Sequence, residues 1–403
     1  MIQYHTIIVG GGAAGLVAAI NAGSHNSGGV PIIEKNDAIG KKILVTGNGR
    51  CNLTNINLSP DKYYGENTKC LHNIFSRFSV NDTISFFEDL GVKLKTEDDG
   101  RVFPITDQAF TIVDSLAKEI SRLKVKTNLG ERVIKLTPIK NGWEVKTDKN
   151  VYQSKTVILA TGGKSCPQLG TTGDGYDIAR QLGHRIVEPN PALVPLELAC
   201  KWFKELQGIK VDVEIILTAH GNLIARETGE LIFTHFGISG PVVLNLSRLI
   251  TNSIGTFFVN FFPGYKSNKE LQTFLSALWL KHPRKTLVNS LSALLAKKLC
   301  SVLLKELNIN SNSQVSQMTK RKSTIIAERL GNWQLDIKGP RSFKESMVTA
   351  GGVSMDEINP RTMESLIAKG LYFAGEILDI DGISGGYNLQ FAWSTGYIAG
   401  LQE

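Results

Sequence analysis

The chain has 403 residues, of which 42% are hydrophobic, and it carries a formal net charge of +8. That length predicts two or three domains with sizeable cores. The sequence has no apolar run of about eighteen residues, so we expect no membrane-spanning helix, and its N-terminus lacks the features of a secretory signal.

The five cysteines form no C-x-x-C pair. This odd and scattered set argues against a disulfide framework and against a zinc site, so we expect no metal and a cytoplasmic location. The cysteines are Cys51, Cys70, Cys166, Cys200 and Cys300.

The first predicted elements form a β-α-β unit. A buried strand over His5–Gly10 precedes a helix from Ala13 to about Gly23, and a second strand ends at Glu34. We expect Pro31 among the first residues of that second strand, where a missing N–H matters least.

The turn between the first strand and the helix fits G-x-G-x-x-G with Gly10, Gly12 and Gly15, and the intervening residues Ala13 and Ala14 open the helix. Such glycines permit a tight turn, the approach of a pyrophosphate and close helix packing. Glu34 is placed to accept hydrogen bonds from ribose hydroxyls and disfavours a ribose 2′-phosphate. A glycine-rich turn without a ligand is the alternative, and the motif alone does not separate NAD from FAD.

Further along the chain, amphipathic patterns predict helices over Val80–Leu90 and Phe110–Leu123. Two strands joined across an Asn-Gly turn are expected next, followed by a buried strand. The expected ranges are Arg132–Pro138, Trp143–Thr147 and Thr156–Gly163.

The pattern of hydrophobic and β-branched residues changes near residue 191. Residues 191–265 favour strands, and residues 266–338 favour helices, with LVNSLSALLAKKLCSVLLKEL as the clearest one. A buried strand returns at Gly370, and a last helix is expected from about Asn388. We therefore predict an α/β fold: a split Rossmann-like domain (residues 1–190 and 339–403), an inserted β-rich domain (191–265) and a helical subdomain (266–338).

Positive charge concentrates in residues 281–341, which hold 12 Lys and Arg against 3 Asp and Glu. The local balance is +9, so the rest of the chain sums to −1. A solvated basic face and a surface that meets a polyanion such as RNA are both open interpretations.

The C-terminal segment indicates FAD. A strand ends at Ala374-Gly375-Glu376, and Gly386, Tyr387 and Asn388 open the last helix. A second acid and a second helix N-terminus suit the flavin half of a long dinucleotide, although the pair could simply complete the sheet. No second G-x-G-x-x-G follows a strand, so we expect NAD(P)H only as a transient reductant.

The loop from Gly40 to Asn55 combines glycines, amide side chains and cations. Its backbone N–H groups could wrap a flavin ring, and Lys42 or Arg50 could neutralise phosphate. A rigid Asn-Gly turn is the alternative.

Six blocks of this sequence resemble, in order, the BaiN/RdsA family of FAD-dependent oxidoreductases, which is also labelled YhiN-like or aminoacetone-oxidase-like. The blocks are GGGAAG, GKK with TGNGRCNLTN, GRVFPITD, ATGGKSCPQLGTTGDGY, FTHFGISGP and AGEILDIDGISGGYN. The resemblance spans nearly the whole chain. It implies a split FAD domain with inserted β-rich and helical parts, and FAD bound without a covalent link.

By the same resemblance, FAD contacts are expected at twenty positions, with Val133 using its backbone to hold adenine. They are Gly10, Gly12, Ala13, Ala14, Gly15, Glu34, Lys35, Lys42, Gly49, Arg50, Asn52, Val133, Ala160, Thr161, Gly162, Gly375, Glu376, Gly386, Tyr387 and Asn388.

The resemblance implies several activities. The first is NAD(P)H-driven reduction of an activated C=C bond. The bond lies either in uridine of ribosomal RNA, which residues 281–341 would bind, or in a small molecule. The second is oxidation of a small amine such as aminoacetone. Apart from the resemblance, an FAD-containing binding or sensing protein without turnover is a further alternative. For C=C reduction a proton donor is needed, and Cys51, His235 and, more weakly, Cys166 are candidates. Packing for Cys51 and a hydrogen-bonded structural role for His235 are the alternatives.

Overall fold

The computed structural model describes residues 2–25, 29–200, 202–250 and 255–402. The chain divides into two compact units. Unit 1 comprises the chain up to Ala192 and from Phe343 onwards, and unit 2 comprises Leu193–Ser342. The two divisions fall within four residues of the boundaries that we expected after residues 190 and 338.

Eleven α-helices lie in the described ranges: unit 1 holds six of them, α1–α5 and α11, and unit 2 holds the other five, α6–α10. Their bounds are α1 Ala13–His25, α2 Leu71–Arg77, α3 Val80–Asp89, α4 Ala109–Arg122, α5 Asp174–Gln181, α6 Pro241–Ser247, α7 Asn268–Lys281, α8 Leu287–Leu291, α9 Lys297–Glu306, α10 Lys320–Gly331 and α11 Tyr387–Leu401.

The described ranges also contain twenty strands. They are β1 Ile2–Val9, β2 Ile32–Glu34, β3 Thr54–Asn55, β4 Tyr63–Tyr64, β5 Leu94–Thr96, β6 Arg101–Pro104, β7 Thr127–Leu129, β8 Val133–Ile139, β9 Gly142–Thr147, β10 Val151–Leu159, β11 Ile186–Ala192, β12 Leu196–Leu198, β13 Lys210–Ala219, β14 Asn222–Phe233, β15 Gly237–Ser239, β16 Thr256–Asn260, β17 Trp333–Pro340, β18 Val348–Val353, β19 Leu371–Phe373 and β20 Asp381–Gly382.

The main sheet of unit 1 has seven strands in the order β7-β2-β1-β10-β9-β8, and β19 also pairs with β10. The strands β7, β2, β1, β10 and β19 run parallel, whereas β8 and β9 form the expected antiparallel hairpin. β1 lies between β2 and β10, so the strand order changes direction at β1, with β2 on one side of it and β10 on the other. This arrangement confirms the predicted Rossmann-like fold and opens a crevice at the carboxyl ends of the strands.

The second strand begins one residue later than Pro31. β2 starts at Ile32, and the carbonyl of Pro31 accepts a hydrogen bond from Ile8 N at 3.0 Å. The proline therefore adds an acceptor next to β1 at a position where no N–H is needed.

The C-terminal helix α11 returns to pack directly on α1. A Cβ atom at Gly396 would lie 2.3 Å from Ala14 O, and one at Gly400 would lie 2.7 Å from Ala18 O. Two glycines spaced four apart thus face two alanines spaced four apart, which lets the helix backbones touch. This contact brings both ends of the chain into unit 1.

In unit 2, the strands form a closed barrel in the order β12-β15-β14-β13-β16-β17. Its inner residues and the buried faces of the helices share one hydrophobic cluster, which includes Phe257, Leu275, Leu303 and Trp333. The β-rich and helical segments, which the sequence predicted as separate parts, therefore have a common core.

The single long helix expected over LVNSLSALLAKKLCSVLLKEL is wrong. The segment forms α8 and α9, and Ala296 between them has the non-helical dihedrals φ −53° and ψ 132°. Both pieces bury their apolar residues in the unit 2 core, among them Leu287 and Leu299. Tertiary packing overrides a periodicity that continues through the break.

Among the described residues, no helix has both the length and the apolar character needed to cross a bilayer.

Candidate active site

A cavity in unit 1 lies at the carboxyl ends of β1, β2, β10 and β19. Its wall contains fourteen of the twenty residues that the resemblance implied as FAD contacts. They are Gly10, Gly12, Ala13, Ala14, Glu34, Lys35, Lys42, Val133, Ala160, Thr161, Gly162, Gly375, Glu376 and Asn388.

The glycines of the first turn meet different surroundings. Gly10 has φ +107°, and its added Cβ would lie 2.4 Å from Ala160 O. An added Cβ at Gly15 would lie 1.9 Å from Gly10 O, whereas one at Gly12 would meet no atom within 4 Å. Gly10 and Gly15 are thus required by the protein itself, and Gly12 leaves room at the cavity wall.

Two helices begin at this cavity. The wall includes Ala13 and Ala14 of α1 and Asn388 and Leu389 of α11. Neither helix has an acidic residue in its first turn, and the residue that precedes α11, Gly386, makes no side-chain cap. The N–H groups of both first turns and the positive ends of both helix dipoles favour an anion here.

Glu34 ends β2 with its side chain 8% exposed. Its Oε2 accepts a hydrogen bond from Gly11 N at 2.6 Å, and its Oε1 accepts one from Asn36 N at 2.8 Å. These bonds fix the carboxylate at the cavity wall, and each oxygen keeps acceptor capacity for a ribose hydroxyl.

Lys35 is held beside Glu34 by a small polar network. Its Nζ donates to Thr172 Oγ1 at 2.5 Å and to Asp174 Oδ2 at 2.7 Å. Asp174 also accepts a hydrogen bond from Arg132 Nη2 at 2.8 Å. This network closes the end of the cavity where Val133 was expected to hold adenine.

The opposite part of the wall carries an ion pair. Lys42 Nζ donates to Glu376 Oε2 and to Ser165 Oγ, both at 2.5 Å. Ser165 Oγ in turn donates to Glu376 Oε1 at 2.5 Å, and Thr349 N donates to the same oxygen at 3.0 Å. The carboxylate is therefore oriented by three donors.

Six of the twenty expected contacts do not belong to the described cavity wall: Gly15, Gly49, Arg50, Asn52, Gly386 and Tyr387. Gly386 and Tyr387 lie instead where the start of α11 contacts residues 54–63. Asn55 Nδ2 donates to Gly385 O at 3.1 Å, and a Cβ at Gly386 would lie 2.5 Å from Thr54 O. Tyr387 O accepts a hydrogen bond from Tyr63 Oη at 2.8 Å. These contacts anchor the start of α11.

Arg50 is engaged away from the cavity. Its Nε donates to Asp107 Oδ1 at 2.8 Å, its Nη2 pairs with Glu97, and its guanidinium lies 3.9 Å from the centre of the Phe103 ring. Two carboxylates and an aromatic face thus neutralise and orient this side chain. Lys41 and Lys42 are the cations of this loop that line the cavity, and Lys41 pairs with Asp37.

Cys51 is fully buried in the unit 1 core, at 0% exposure, and it is not among the residues of the cavity wall. Burial raises the pKa of its thiol to about 12. This position favours the packing interpretation over a proton donor. Cys166 is half-buried and donates from its Sγ to Ser346 O at 3.2 Å, and burial also raises the pKa of its thiol.

His235 lies between β14 and β15 in unit 2, and its side chain is exposed. Its ring packs edge-on against Phe236, with 4.9 Å between the ring centres. Within the described part of the chain, the ring makes no hydrogen bond, which gives no support to the hydrogen-bonded structural role.

Thr349, which no sequence pattern indicated, organises the backbone behind the cavity wall. Thr349 Oγ1 accepts hydrogen bonds from Lys164 N at 2.8 Å and Ser165 N at 3.0 Å, across 184 or more residues of chain. Thr161 Oγ1 is buried without a hydrogen-bond partner among the described residues, and Thr161 lines the cavity. An unpaired buried hydroxyl at this wall fits a ligand with polar groups.

The donor set suits a dinucleotide with free ribose hydroxyls. It combines two helix N-termini, the fixed carboxylate of Glu34, the open wall at Gly12 and the ion pair of Lys42 with Glu376. Within the ranges that the structure describes, no three His, Cys, Asp or Glu side chains group together so as to hold a metal ion.

Comparison with known proteins identifies the family of the chain. The family described as HI0933-like protein Rossmann domain matches residues 4–402. A 3-dehydro-bile acid delta(4,6)-reductase of Clostridium scindens is 37% identical over 98% of this chain and 97% of its own length. A ribosomal RNA dihydrouridine synthase of Escherichia coli is 33% identical over the same shares of the two chains.

The fold also resembles that of a solved 3-ketosteroid-delta4-(5alpha)-dehydrogenase from Rhodococcus jostii. The TM-score is 0.50 at 14% identity, over 100% of this chain and 96% of the other. At that identity the likeness concerns the fold alone.

Proposed function

The chain belongs to the HI0933-like Rossmann-domain family and is an FAD-dependent oxidoreductase, and we propose that it reduces an activated C=C bond with NAD(P)H as the electron donor. The observation that carries this proposal is the pair of relatives over nearly full length. A delta(4,6)-reductase and a dihydrouridine synthase both add two hydrogen atoms across a C=C bond conjugated to a carbonyl group.

We place FAD, bound without a covalent link, in the unit 1 cavity. The first-turn N–H groups of α1 would hold its pyrophosphate, Glu34 a ribose, and the backbone near Val133 its adenine. Glu376, oriented by Lys42, would hold polar groups of the flavin half. When bound, FAD supplies two-electron hydride chemistry.

In net terms, NAD(P)H loses a hydride, one alkene carbon gains it, and the other carbon gains a proton. His235 is our candidate proton donor because its ring is exposed and free of hydrogen bonds within the described residues. Replacing His235 with Gln is expected to slow alkene reduction while NAD(P)H still reduces the flavin at the wild-type rate. Equal loss of both rates would contradict the assignment.

We propose uridine in ribosomal RNA as the substrate, because residues 281–341 carry a balance of +9 that a small neutral alkene does not require. The reaction would then take place in the cytoplasm, where ribosomal RNA is available.

Deleting the gene in its source organism tests this substrate. We expect one dihydrouridine to disappear from ribosomal RNA, measured by mass spectrometry of digested RNA, and to return with the wild-type gene. A Gly15→Val gene, which cannot form the nucleotide-binding turn, is the negative control. If dihydrouridine is unchanged in the deletion strain, an RNA substrate is refuted, and reduction of a small enone by the purified yellow protein remains to be measured.

A further inference from the structure

The basic segment of unit 2 contains two kinds of cation. Four of its twelve Lys and Arg side chains pair with carboxylates. Lys305 contacts Glu205 at 3.0 Å, Arg329 contacts Glu306 at 3.5 Å, and Lys338 and Arg341 contact Glu197 at 3.1 and 2.6 Å. These charges are already locally balanced.

The other eight cations are exposed, and no carboxylate pairs with them within the described residues. They are Lys281, Arg284, Lys285, Lys297, Lys298, Lys320, Arg321 and Lys322. Because no carboxylate among the described residues neutralises these cations, their charges sum to a positive local potential.

Six of the eight come together where α7 ends and α10 begins. Gln272 Nε2 donates to Thr324 Oγ1 at 2.8 Å, and the hydroxyls of Ser276 and Ser323 lie 3.4 Å apart, so the first turns of α10 lie against α7. We call Lys281, Arg284, Lys285, Lys320, Arg321 and Lys322 the basic cluster.

The loop before α10 ties the remaining members to this place. Val315 N donates to Lys285 O at 3.0 Å, and Ser316 N donates to Pro283 O at 3.1 Å. The backbone that carries Arg284 and Lys285 is therefore bonded to the segment that enters α10. The segments that carry the cluster are therefore neighbours in unit 2.

The placement of these cations opposes the stability of the helix. Lys320, Arg321 and Lys322 fill the first turn of α10, which holds no acidic residue. The positive end of the helix dipole repels them, and Asp or Glu would be favourable at the same positions. α9 begins in the same way, with Lys297 and Lys298. A stability requirement does not account for cations at these two helix starts.

We propose that the basic cluster binds the phosphodiester backbone of the RNA substrate, an inference that rests on the proposed function. Six cations without a carboxylate partner among the described residues, spread over a helix end, a loop and a helix start, exceed what one carboxylate of a small substrate needs. They suit a ligand that repeats its negative charge along a chain. The positive end of the α10 dipole adds to the same attraction, with Thr319 Oγ1 already capping the N–H of Lys322.

The triple variant Lys320→Glu, Arg321→Glu and Lys322→Glu tests this surface in the full-length holoprotein. The probe is a labelled transcript of ribosomal RNA, and its dissociation constant is measured by fluorescence anisotropy at several salt concentrations. We expect binding at least about tenfold weaker, and a salt dependence smaller by roughly 0.7–0.9 for each lost phosphate contact. Because the new acids complement the helix dipole, the variant should melt at or above the wild-type temperature.

The matched control is Lys135→Glu, Lys140→Glu and Lys146→Glu, which changes three exposed lysines of unit 1 and lowers the net charge equally. We expect it to change RNA binding less than twofold. Equal weakening by both variants, or none by either, would overturn the assignment of the cluster.

Three further results separate this inference from others. If the cluster variant loses binding to phosphatidylglycerol vesicles but keeps RNA binding, the surface serves a membrane and the inference fails. If the cluster variant restores dihydrouridine fully in the deletion strain and binds RNA as the wild type does, the proposed RNA substrate is retained. The assignment of the basic cluster to RNA binding is then refuted. If dihydrouridine never depends on the gene while the cluster variant still loses RNA binding, the proposed substrate fails and the surface stands.

Discussion

Gly12 and Gly15 belong to one motif, but they meet different atoms. A Cβ at Gly15 would collide with the carbonyl of Gly10, at 1.9 Å, whereas a Cβ at Gly12 would meet nothing within 4 Å. The first glycine is therefore required by the cofactor that we place in the cavity, and the second by the protein.

The two alanine variants should separate these requirements. Gly15→Ala is expected to lower the free energy of unfolding of the apoprotein by about 1–3 kcal/mol, because the backbone must shift. Gly12→Ala should leave that value nearly unchanged and weaken FAD binding by about tenfold, or ~1.4 kcal/mol. Urea unfolding without FAD and fluorescence titration with FAD measure the two quantities. A Gly12→Ala apoprotein as unstable as Gly15→Ala would contradict this distinction.

At the same scale, sequence patterns anticipated the residues whose role is local. Gly10, Gly12 and Glu34 lie within one β-α-β unit, so their spacing alone placed them at one cavity. Arg50 was expected at a phosphate, but it pairs with Glu97 and Asp107. Those partners lie more than forty residues away along the chain, and no local pattern reveals them.

At the scale of elements, the contact between α1 and α11 determines the cavity. Both helices begin at its wall, and their backbones meet through Gly396 and Gly400. Any side chain added at this contact must separate the two helix starts that would hold the cofactor.

Gly396→Ala tests this contact. Its Cβ would lie 2.3 Å from Ala14 O, a backbone atom that cannot move alone. We expect a loss of roughly 1–3 kcal/mol in the free energy of unfolding, together with weaker FAD retention on gel filtration. Gly264→Ala is the control, since its Cβ would meet no atom within 4 Å. If both variants unfold alike, the helix contact is not under this constraint.

At the scale of the whole molecule, buried thiols in both units make stability depend on alkaline pH. Burial raises the pKa of Cys51, Cys70 and Cys300 from 9.0 to about 12. Below pH 9 each thiol is neutral in the folded and the unfolded chain. Between pH 9 and 12 only the unfolded chain releases the proton, so stability falls as pH rises.

Each of these thiols should contribute up to about 1.4 kcal/mol per pH unit to that fall. Replacing Cys300 with Ala should make the free energy of unfolding decline less steeply between pH 9 and 11, even though the variant is less stable at pH 8. Urea unfolding at intervals of pH gives the slope. A slope identical to that of the wild type would show that Cys300 ionises equally in both states.

The sequence by itself determined the β-α-β unit, the positions of its glycines and acid, and the return of a strand and helix at the C-terminus. These features depend on residues that are close along the chain and follow the periods of strand and helix. The shared core of the barrel and helices, the break between α8 and α9, the partners of Arg50 and the gathering of the basic cluster were decided only by the tertiary structure. In each case, the deciding contacts join segments far apart in the chain, and packing between them outweighs local preference.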